Sequence, residues 1–328
     1  MKAAWFETFG EPRDVLEVGH KDDPIVQDNE VLVDLRVSAV NPSDEKKRAG
    51  SFPDLLDDGF IIPHSDGAGI IIEVGKNISG NRIGERVWVY QGQFERRYGT
   101  AADLISIDSI RAPKLPENIS FDVGACLGIP LMTAHRCVFA DGSVKGKRLL
   151  ITGGAGRVGY YAVQLAKNDG AFVIATASNK EDKESCLNIG ADAVVNHKEK
   201  NWGRHILEIT KGKKIHRAID VDFGANLTEV LSCLRTGAII ATYASMQNPE
   251  PKIPFFKMMY MALSIRLIIV YSMPEKAKFN AIKDISNLLS KDQIKHRIAY
   301  KVSLDEIHKS HEIIREGNAR GGVLIEMS

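Results

Sequence analysis

Six consecutive residues, Gly154-Ala155-Gly156-Arg157-Val158-Gly159, carry glycine at their first, third and sixth positions. Glycines so spaced work through the backbone. One permits a tight turn, one lets the chain approach a pyrophosphate, and one lets a helix pack closely on a strand. The N-terminus of the next helix then offers free N–H groups and a partial positive charge to phosphates. That reading depends on the elements around the loop. Residues 148–151 are a short apolar run, long enough for a buried strand. Val158, Ala162, Leu165 and Ala166 recur at helical spacing, Asp169-Gly170 ends the helix, and residues 172–176 form a second apolar strand. Strand, glycine loop, helix, strand is a dinucleotide-binding unit.

The end of the second strand refines the reading. A site for NAD usually has Asp or Glu about 20 residues past the glycines, bonding the ribose 2′-OH. Here Thr176-Ala177-Ser178-Asn179-Lys180 contains no acid. Lys180 would attract a 2′-phosphate and Ser178 would donate to it, which points to NADP(H). The alternative is a solvated surface lysine, and Glu181-Asp182 beside it weaken the attraction.

Composition bounds the rest. At 328 residues the chain is too long for one ordinary core, so two domains are expected. A net charge of +1, with no basic stripe, gives no footprint for nucleic acid or an anionic membrane. Cys126, Cys137, Cys186 and Cys233 form no CxxC or metal spacing and suit reduced, buried thiols of a cytoplasmic protein. The N-terminus shows no apolar signal core. Residues 255–273 approach the length of a membrane span. Lys257 and Arg266 interrupt them, and a central Arg costs roughly 2.5–3.5 kcal/mol on the insertion scale. They are expected to form a buried helical segment and then a strand over 267–271.

Strand candidates over 3–6, 31–37, 69–74 and 85–90, with scarce helices, predict a mostly β, barrel-like first domain. Residues 31–37 alternate as a half-buried strand would. Residues 117–139 turn helical, with a break at Gly128-Ile129-Pro130. Beyond the glycine unit, strands (193–195, 218–221, 238–243) alternate with helices (202–210, 227–234). This predicts a doubly wound parallel sheet closed by 267–271. Residues 275–289 read as an amphipathic helix and 298–302 as a strand. Ser303 to Glu306 reads as a capping box, and 323–326 as a final strand. His308 and His311 stand three apart on the last helix, read as surface or partly buried histidines with no third metal ligand.

Several strings in order resemble the zinc-free, zeta-crystallin-like NADPH:quinone reductases of the medium-chain dehydrogenase/reductase superfamily. They are Asn41-Pro42-Ser43-Asp44, Ser65-Asp66-Gly67-Ala68-Gly69, Gly84-Glu85-Arg86-Val87, Gly99-Thr100-Ala101-Ala102, and Gly124-Ala125-Cys126-Leu127-Gly128-Ile129-Pro130, together with the glycine loop and Asn196-His197. The resemblance implies a GroES-like catalytic domain over 1–123 and 272–328, a Rossmann domain over 124–271, and NADP(H) in the cleft. It assigns the pyrophosphate to Gly154 through Gly159 and the 2′-phosphate to Ser178 and Lys180. It places His197 beside the adenosine, and Gly224, Thr242, Tyr243 and Ala244 on the nicotinamide side. Val270, Tyr271 and Ser272 fall near the carboxamide, and Arg320 on a phosphate. For His197 and Arg320 a solvated surface role stays open. Asn41 would orient the nicotinamide ribose or bond a substrate carbonyl, unless it is only a turn residue before Pro42.

Zinc alcohol dehydrogenases of the superfamily use Cys, a His-Glu pair and Cys. The matching residues here are Asn41, Ser65-Asp66 and Ile129, with His64 one place too early, so no metal is expected. A quinone or activated enone accepts hydride without a Lewis acid. The family often shows tyrosines where this chain has Lys46 and Phe52. Phe52 can stack on a ring but cannot donate a hydrogen bond, and Lys46 would favour an anionic or highly polar acceptor, unless the Lys46-Lys47-Arg48 run is only a solvated helix face. The expected activity is NADPH-dependent quinone reduction. Reduction of enones or alkenes is the alternative within enzymes. A non-catalytic, NADPH-binding crystallin-like or RNA-binding protein is the alternative outside them. Strand 267–271, as a sheet edge, would pair with its symmetry mate in a homodimer.

Overall fold

The chain begins with β1 (Lys2–Trp5), α1 (Pro12–Val15), β2 (Glu17–His20), β3 (Glu30–Val40), α2 (Pro42–Arg48), β4 (Asp66–Val74), β5 (Arg86–Val89), β6 (Leu104–Asp108) and α3 (Phe121–Gly124). A π-type turn over Leu127–Leu131 enters α4 (Met132–Phe139). There follow β7 (Arg148–Ile151), α5 (Arg157–Asn168), β8 (Phe172–Ala177), α6 (Lys180–Asn188), β9 (Ala193–Asn196), α7 (Trp202–Ile209), β10 (Ile215–Asp220), α8 (Phe223–Cys233), β11 (Leu234–Thr242), α9 (Phe255–Tyr260) and β12 (Ser264–Leu267). The last elements are α10 (Glu275–Ser290), β13 (Ile298–Ser303), α11 (Ile307–Glu316) and β14 (Gly322–Glu326). This computed structural model describes residues 1–327. It divides into two units, Met1–Ile129 with the chain from Ile282 onward, and Pro130–Ala281. The division falls after Ile129 and after Ala281. The π-type turn keeps Ile129 bonded to Asp66, and α10 runs unbroken through the second seam.

The first unit holds one sheet in the order β13-β14-β3-β4-β5, with β6 also on β3, and a β1–β2 ribbon. β3 was expected to alternate. Instead Leu32 is buried along with Val31 and Val33, and only Arg36 is exposed. β3 has partners on both sides, β14 and β6 on different stretches of one side and β4 on the other, so few of its positions meet water. Val31, Val33, Leu35, Ile71, Ile105, Val323 and Ile325 meet in its core. Each such side chain stabilises by about 1.5–3 kcal/mol when fully buried.

The second unit is a six-stranded, all-parallel sheet, β12-β11-β10-β7-β8-β9. The order reverses between β7 and β10, as in the doubly wound dinucleotide fold. Two expectations are corrected here. The last strand is Ser264–Leu267, not 267–271. β11 ends at Thr242, and beyond Leu267 only the Ile268 N–H still reaches the Thr242 carbonyl, at 2.8 Å. The segment from 255 was expected to be buried. Met258 is, but Phe255, Phe256, Met259 and Tyr260 are exposed. No described helix is long and apolar enough to cross a membrane.

Candidate functional site

In the second unit the glycine loop joins β7 to α5. Gly153 stands at φ +62°, which favours glycine. Its N–H donates to Thr176 Oγ1 at 2.9 Å, and the Gly154 N–H donates to the Thr176 carbonyl at 3.0 Å, so the turn is pinned to β8. A Cβ on Gly154 would lie 2.6 Å from Ala175 Cβ, and one on Gly159 would lie 2.2 Å from the Gly153 carbonyl oxygen. These two glycines are therefore required by close packing of α5 and the loop. Gly156 is the N-cap of α5, and no side chain caps the helix. The N–H groups of Val158 and Gly159, in the first turn of this 12-residue helix, thus have no capping side chain and suit an anionic ligand. Ala155 is buried, and Arg157 and Val158 are half-buried in the first turn. The residues present fit a dinucleotide pyrophosphate.

At the end of β8 the backbone turns into α6. Asn179 caps that helix, its Oδ1 accepting from the Asp182 N–H at 2.8 Å and its Nδ2 donating to Asp182 Oδ2 at 2.9 Å. Ser178 is half-buried. Lys180 is the first helical residue, 89% exposed, and 3.9 Å from Glu184. Asp182, one of the two acids that weakened the 2′-phosphate reading, is turned into the cap. His197 follows β9 directly and is half-buried.

Asp220 closes β10. Its Oδ1 accepts from Thr152 Oγ1 at 2.7 Å and from Asn226 Nδ2 at 2.8 Å, joining the exits of β7 and β10 to α8. Burial pushes this carboxyl up, against the pull of the two donors. Thr242 ends β11 with its hydroxyl on the Ala244 carbonyl at 3.1 Å, and Tyr243 and Ala244 are half-buried. Gly224 has a local packing reason: a Cβ there would meet the Asn248 carbonyl at 2.2 Å. Val270 and Tyr271 are buried and Ser272 is exposed.

In the first unit Asn41 is the N-cap of α2, its N–H donating to Asp44 Oδ2 at 2.8 Å. Pro42 takes the first helical position, where a missing N–H leaves no bond unmade. The turn reading is correct for the backbone, but the side chain does more. Asn41 Nδ2 donates to Asp66 Oδ2 at 2.9 Å, and the Ile129 N–H donates to the same oxygen at 2.8 Å. Asn41 is 3% exposed and Asp66 fully buried. Burial pushes the Asp66 carboxyl well above the usual range; the Ile129 and Asn41 bonds and Lys47 oppose this, while Asp44 adds to it. Gly128 makes room, since a Cβ there would lie 2.0 Å from Asp66 Oδ1.

The Lys46-Lys47-Arg48 run is not a solvated face. Lys46 is half-buried, Lys47 is 8% exposed and Arg48 1%. Lys47 Nζ donates to the backbone and side-chain oxygens of Gln93, at 2.5 and 2.6 Å. Burial pushes its amine down, against the pull of Asp44 and Asp66. Phe52 is 51% exposed, and Arg320 follows α11 with Nη1 on the Gly317 carbonyl at 3.2 Å. His311 does not share a surface with His308. It is fully buried, and its Nε2 lies 3.0 Å from His64 Nε2. His64 Nδ1 lies 2.9 Å from Ser38 Oγ. Reading the sequence missed Ser38, Thr100 and the pairing of His64 with His311. The available signal was a polar run, His64-Ser65-Asp66, between apolar flanks.

The donors at the zinc-matching places are thus engaged with one another. Asn41 and Ile129 both bond Asp66, and both ring nitrogens of His64 have partners. Among the described residues no group of three or more His, Cys, Asp or Glu is placed to hold a metal ion.

Two family descriptions match: Alcohol dehydrogenase GroES-like domain over residues 27–112, and Zinc-binding dehydrogenase over residues 158–289. The human quinone oxidoreductase is 30% identical over 310 residues, covering 92% of this chain and 90% of that protein. A tomato 2-methylene-furan-3-one reductase is 29% identical over 184 residues, 55% of this chain and 47% of that protein. The Escherichia coli quinone oxidoreductase, solved in complex with NADPH, superposes with a TM-score of 0.87 at 23% identity, covering 99% of this chain and 100% of that one. With a glycine loop on a 3-2-1-4-5-6 parallel sheet, a GroES-like first unit and 30% identity along nearly its full length, the chain belongs to the quinone oxidoreductase family of medium-chain dehydrogenases/reductases.

Proposed function

We propose that the protein is an NADPH-dependent reductase of quinones or similarly conjugated carbonyl compounds, working without zinc. The observation that carries this is the uncapped N-terminus of α5 behind close-packed glycines, beside a β8 end that bears no acid. Bound there, NADPH supplies a hydride. The α5 N–H groups would hold the pyrophosphate, and Ser178 and Lys180 would take the 2′-phosphate. His197 and Arg320 are assigned to the adenosine side and to a phosphate. Gly224, Thr242 to Ala244 and Val270 to Ser272 are assigned to the nicotinamide end. The domain limits 1–123 with 272–328, and 124–271, belong to the same reading.

Asn41 is the polar group the first unit offers the reacting partners. One Nδ2 hydrogen is given to Asp66, which leaves a second N–H able to donate to a carbonyl and a second lone pair on Oδ1 able to accept from a hydroxyl. Asn41 is read as the group that orients the nicotinamide ribose or bonds the substrate carbonyl. Zinc independence rests on the donor set, an amide, a carboxylate and a peptide N–H bonded to each other where thiolates and an imidazole would be needed. Lys46 and Phe52 are read as pocket residues, Phe52 stacking on a ring acceptor.

The test is NADPH oxidation at 340 nm against simple quinones, 2-enones, aldehydes and no acceptor, with NADH in parallel. Quinone turnover with NADPH preferred over NADH supports the reading. Turnover of enones alone moves the assignment to an enone reductase, the activity by which the tomato relative is named. Absence of turnover despite tight NADPH binding would move it to a non-catalytic binder. The exposed edge at Ile265, Leu267 and Ile269, flanked by Phe255, Phe256 and Tyr260, is read as a homodimer face. A monomer by sedimentation would remove that element. The four cysteines are free and buried, in keeping with a cytoplasmic protein.

A further inference from the structure

His64 is a non-glycine residue in left-handed backbone (φ +76°), two residues before Asp66. Such a conformation persists only where its surroundings hold it. His64 is held through both ring nitrogens, inside a buried run of polar groups. His311 Nε2 meets His64 Nε2 at 3.0 Å, and His64 Nδ1 meets Ser38 Oγ at 2.9 Å. Ser38 Oγ meets Thr100 Oγ1 at 2.8 Å, and Thr100 Oγ1 meets the Asp66 carbonyl oxygen at 2.7 Å. His311 Nδ1 is buried and has no partner among the described residues.

Counting hydrogens fixes the direction of this chain. The Asp66 carbonyl can only accept, so Thr100 donates to it. Ser38 must then donate to Thr100, and its oxygen accepts from His64 Nδ1–H. That leaves His64 Nε2 as a bare acceptor, so His311 Nε2–H donates to it. Every bond in the run then has one hydrogen, and the only unmatched group is the His311 Nδ1 lone pair. The reverse direction leaves the short Thr100–Asp66 or Ser38–Thr100 oxygen contact without a hydrogen. It also buries a His311 Nδ1–H that has no acceptor, and an unmatched buried donor is costly. Either ring, if doubly protonated, would put two donors face to face or bury one unmatched.

We propose that His311 and His64 are positioning residues, two neutral imidazoles in fixed and opposite tautomers (Nε2–H on His311, Nδ1–H on His64) that head a one-way hydrogen-bond chain through Ser38 and Thr100 to the Asp66 peptide, and so hold the Asp66 carboxylate that orients the Asn41 amide. α11, which carries His311, also packs on α2 and β3, the elements on either side of Asn41. The charged side chains that act on the pair are cations on α2. Lys47 adds to the burial that pushes His64 down to about 3, and Arg48 acts on His311 after burial and His64 itself. The surroundings therefore favour the neutral forms that the geometry requires. The role in turnover rests on the reading of Asn41 given above; the tautomers do not.

The experiment pairs a spectrum with kinetics on the full chain. Long-range 1H–15N correlation of protein labelled at histidine is recorded from about pH 8 to about pH 5.5. One ring is expected as Nδ1–H and absent in His64→Asn, and another as Nε2–H and absent in His311→Phe, neither titrating. His64 as Nε2–H, or either ring titrating in that range, overturns the chain. In turnover, His311→Phe and Ser38→Ala should each lower kcat about tenfold with both KM values within about twofold, and His311→Gln, which keeps an N–H at the Nε2 position, should recover most of it. Ser38→Ala decides the matter if His311→Phe does not fold. Full kcat in His311→Phe and Ser38→Ala, while Asn41→Ala is impaired, overturns the positioning role alone. Full kcat in Asn41→Ala removes the reading of Asn41 and the positioning role with it, and the spectrum still decides the tautomers.

Discussion

The two units carry their polar work in opposite ways. In the second, the glycine loop works through main chain: N–H groups at the start of α5, a loop of three glycines and one alanine, and Thr176 pinning that loop to β8. All of it lies within 24 residues, from Gly153 to Thr176. In the first, a network joins five separate segments, through side chains at Ser38 and Asn41, His64 and Asp66, Thr100 and His311 and through the backbone N–H of Ile129. A backbone site tolerates no added atom but depends little on residue identity. A side-chain network depends on identity and on proton count, because each buried donor and acceptor must be matched.

Paired glycine variants break the comparison most sharply. Gly159→Ala would place a Cβ 2.2 Å from the Gly153 carbonyl, and NADPH affinity should fall about 100-fold or more by fluorescence titration, roughly 2.7 kcal/mol. Gly128→Ala would place one 2.0 Å from Asp66 Oδ1. There kcat should fall about thirtyfold, roughly 2 kcal/mol, while NADPH affinity holds. Equal loss of affinity in both variants would mean that the two sites are not separable in this way.

Acid sharpens the contrast next. His64 is pushed down to about 3 and His311 well below its usual value, so each takes up a proton on unfolding. Their contribution to stability is complete above about pH 6.5 and is lost as pH falls below it, by about 1.4 kcal/mol per pH unit for each imidazole. Asp66, whose carboxyl burial pushes above the usual range, acts in the opposite sense and offsets part of this slope at pH values below its raised value. Urea unfolding between pH 7 and about pH 5.5 should show this slope, and His311→Phe should flatten it. An unchanged slope would mean that the pair is not neutral in the folded protein.

The smallest effect belongs to Lys180. Exposed at 89% and only 3.9 Å from Glu184, it should contribute about 0.5–1 kcal/mol. Lys180→Ala should raise the KM for NADPH severalfold and leave NADH unchanged; a comparable change with NADH would remove the 2′-phosphate assignment.

The glycine loop, its flanking strands and helix, and the alternation behind the parallel sheet were legible because each is encoded within a few tens of residues. Backbone sites are built from neighbours in sequence, so spacing alone discloses them. Tertiary contacts decided the rest. Lys47 and Arg48 read as a solvated run, yet both are buried, because helix position alone does not say what packs over α2. Residues 267–271 are apolar enough for a strand, but β11 ends at Thr242 and the parallel ladder stops with it at Leu267. His308 and His311 look like a pair on one helix, while the partner of His311 is His64, 247 residues away. No period or motif marks such a contact. It exists because buried polar groups must match every donor with an acceptor, and only the folded chain brings the two together.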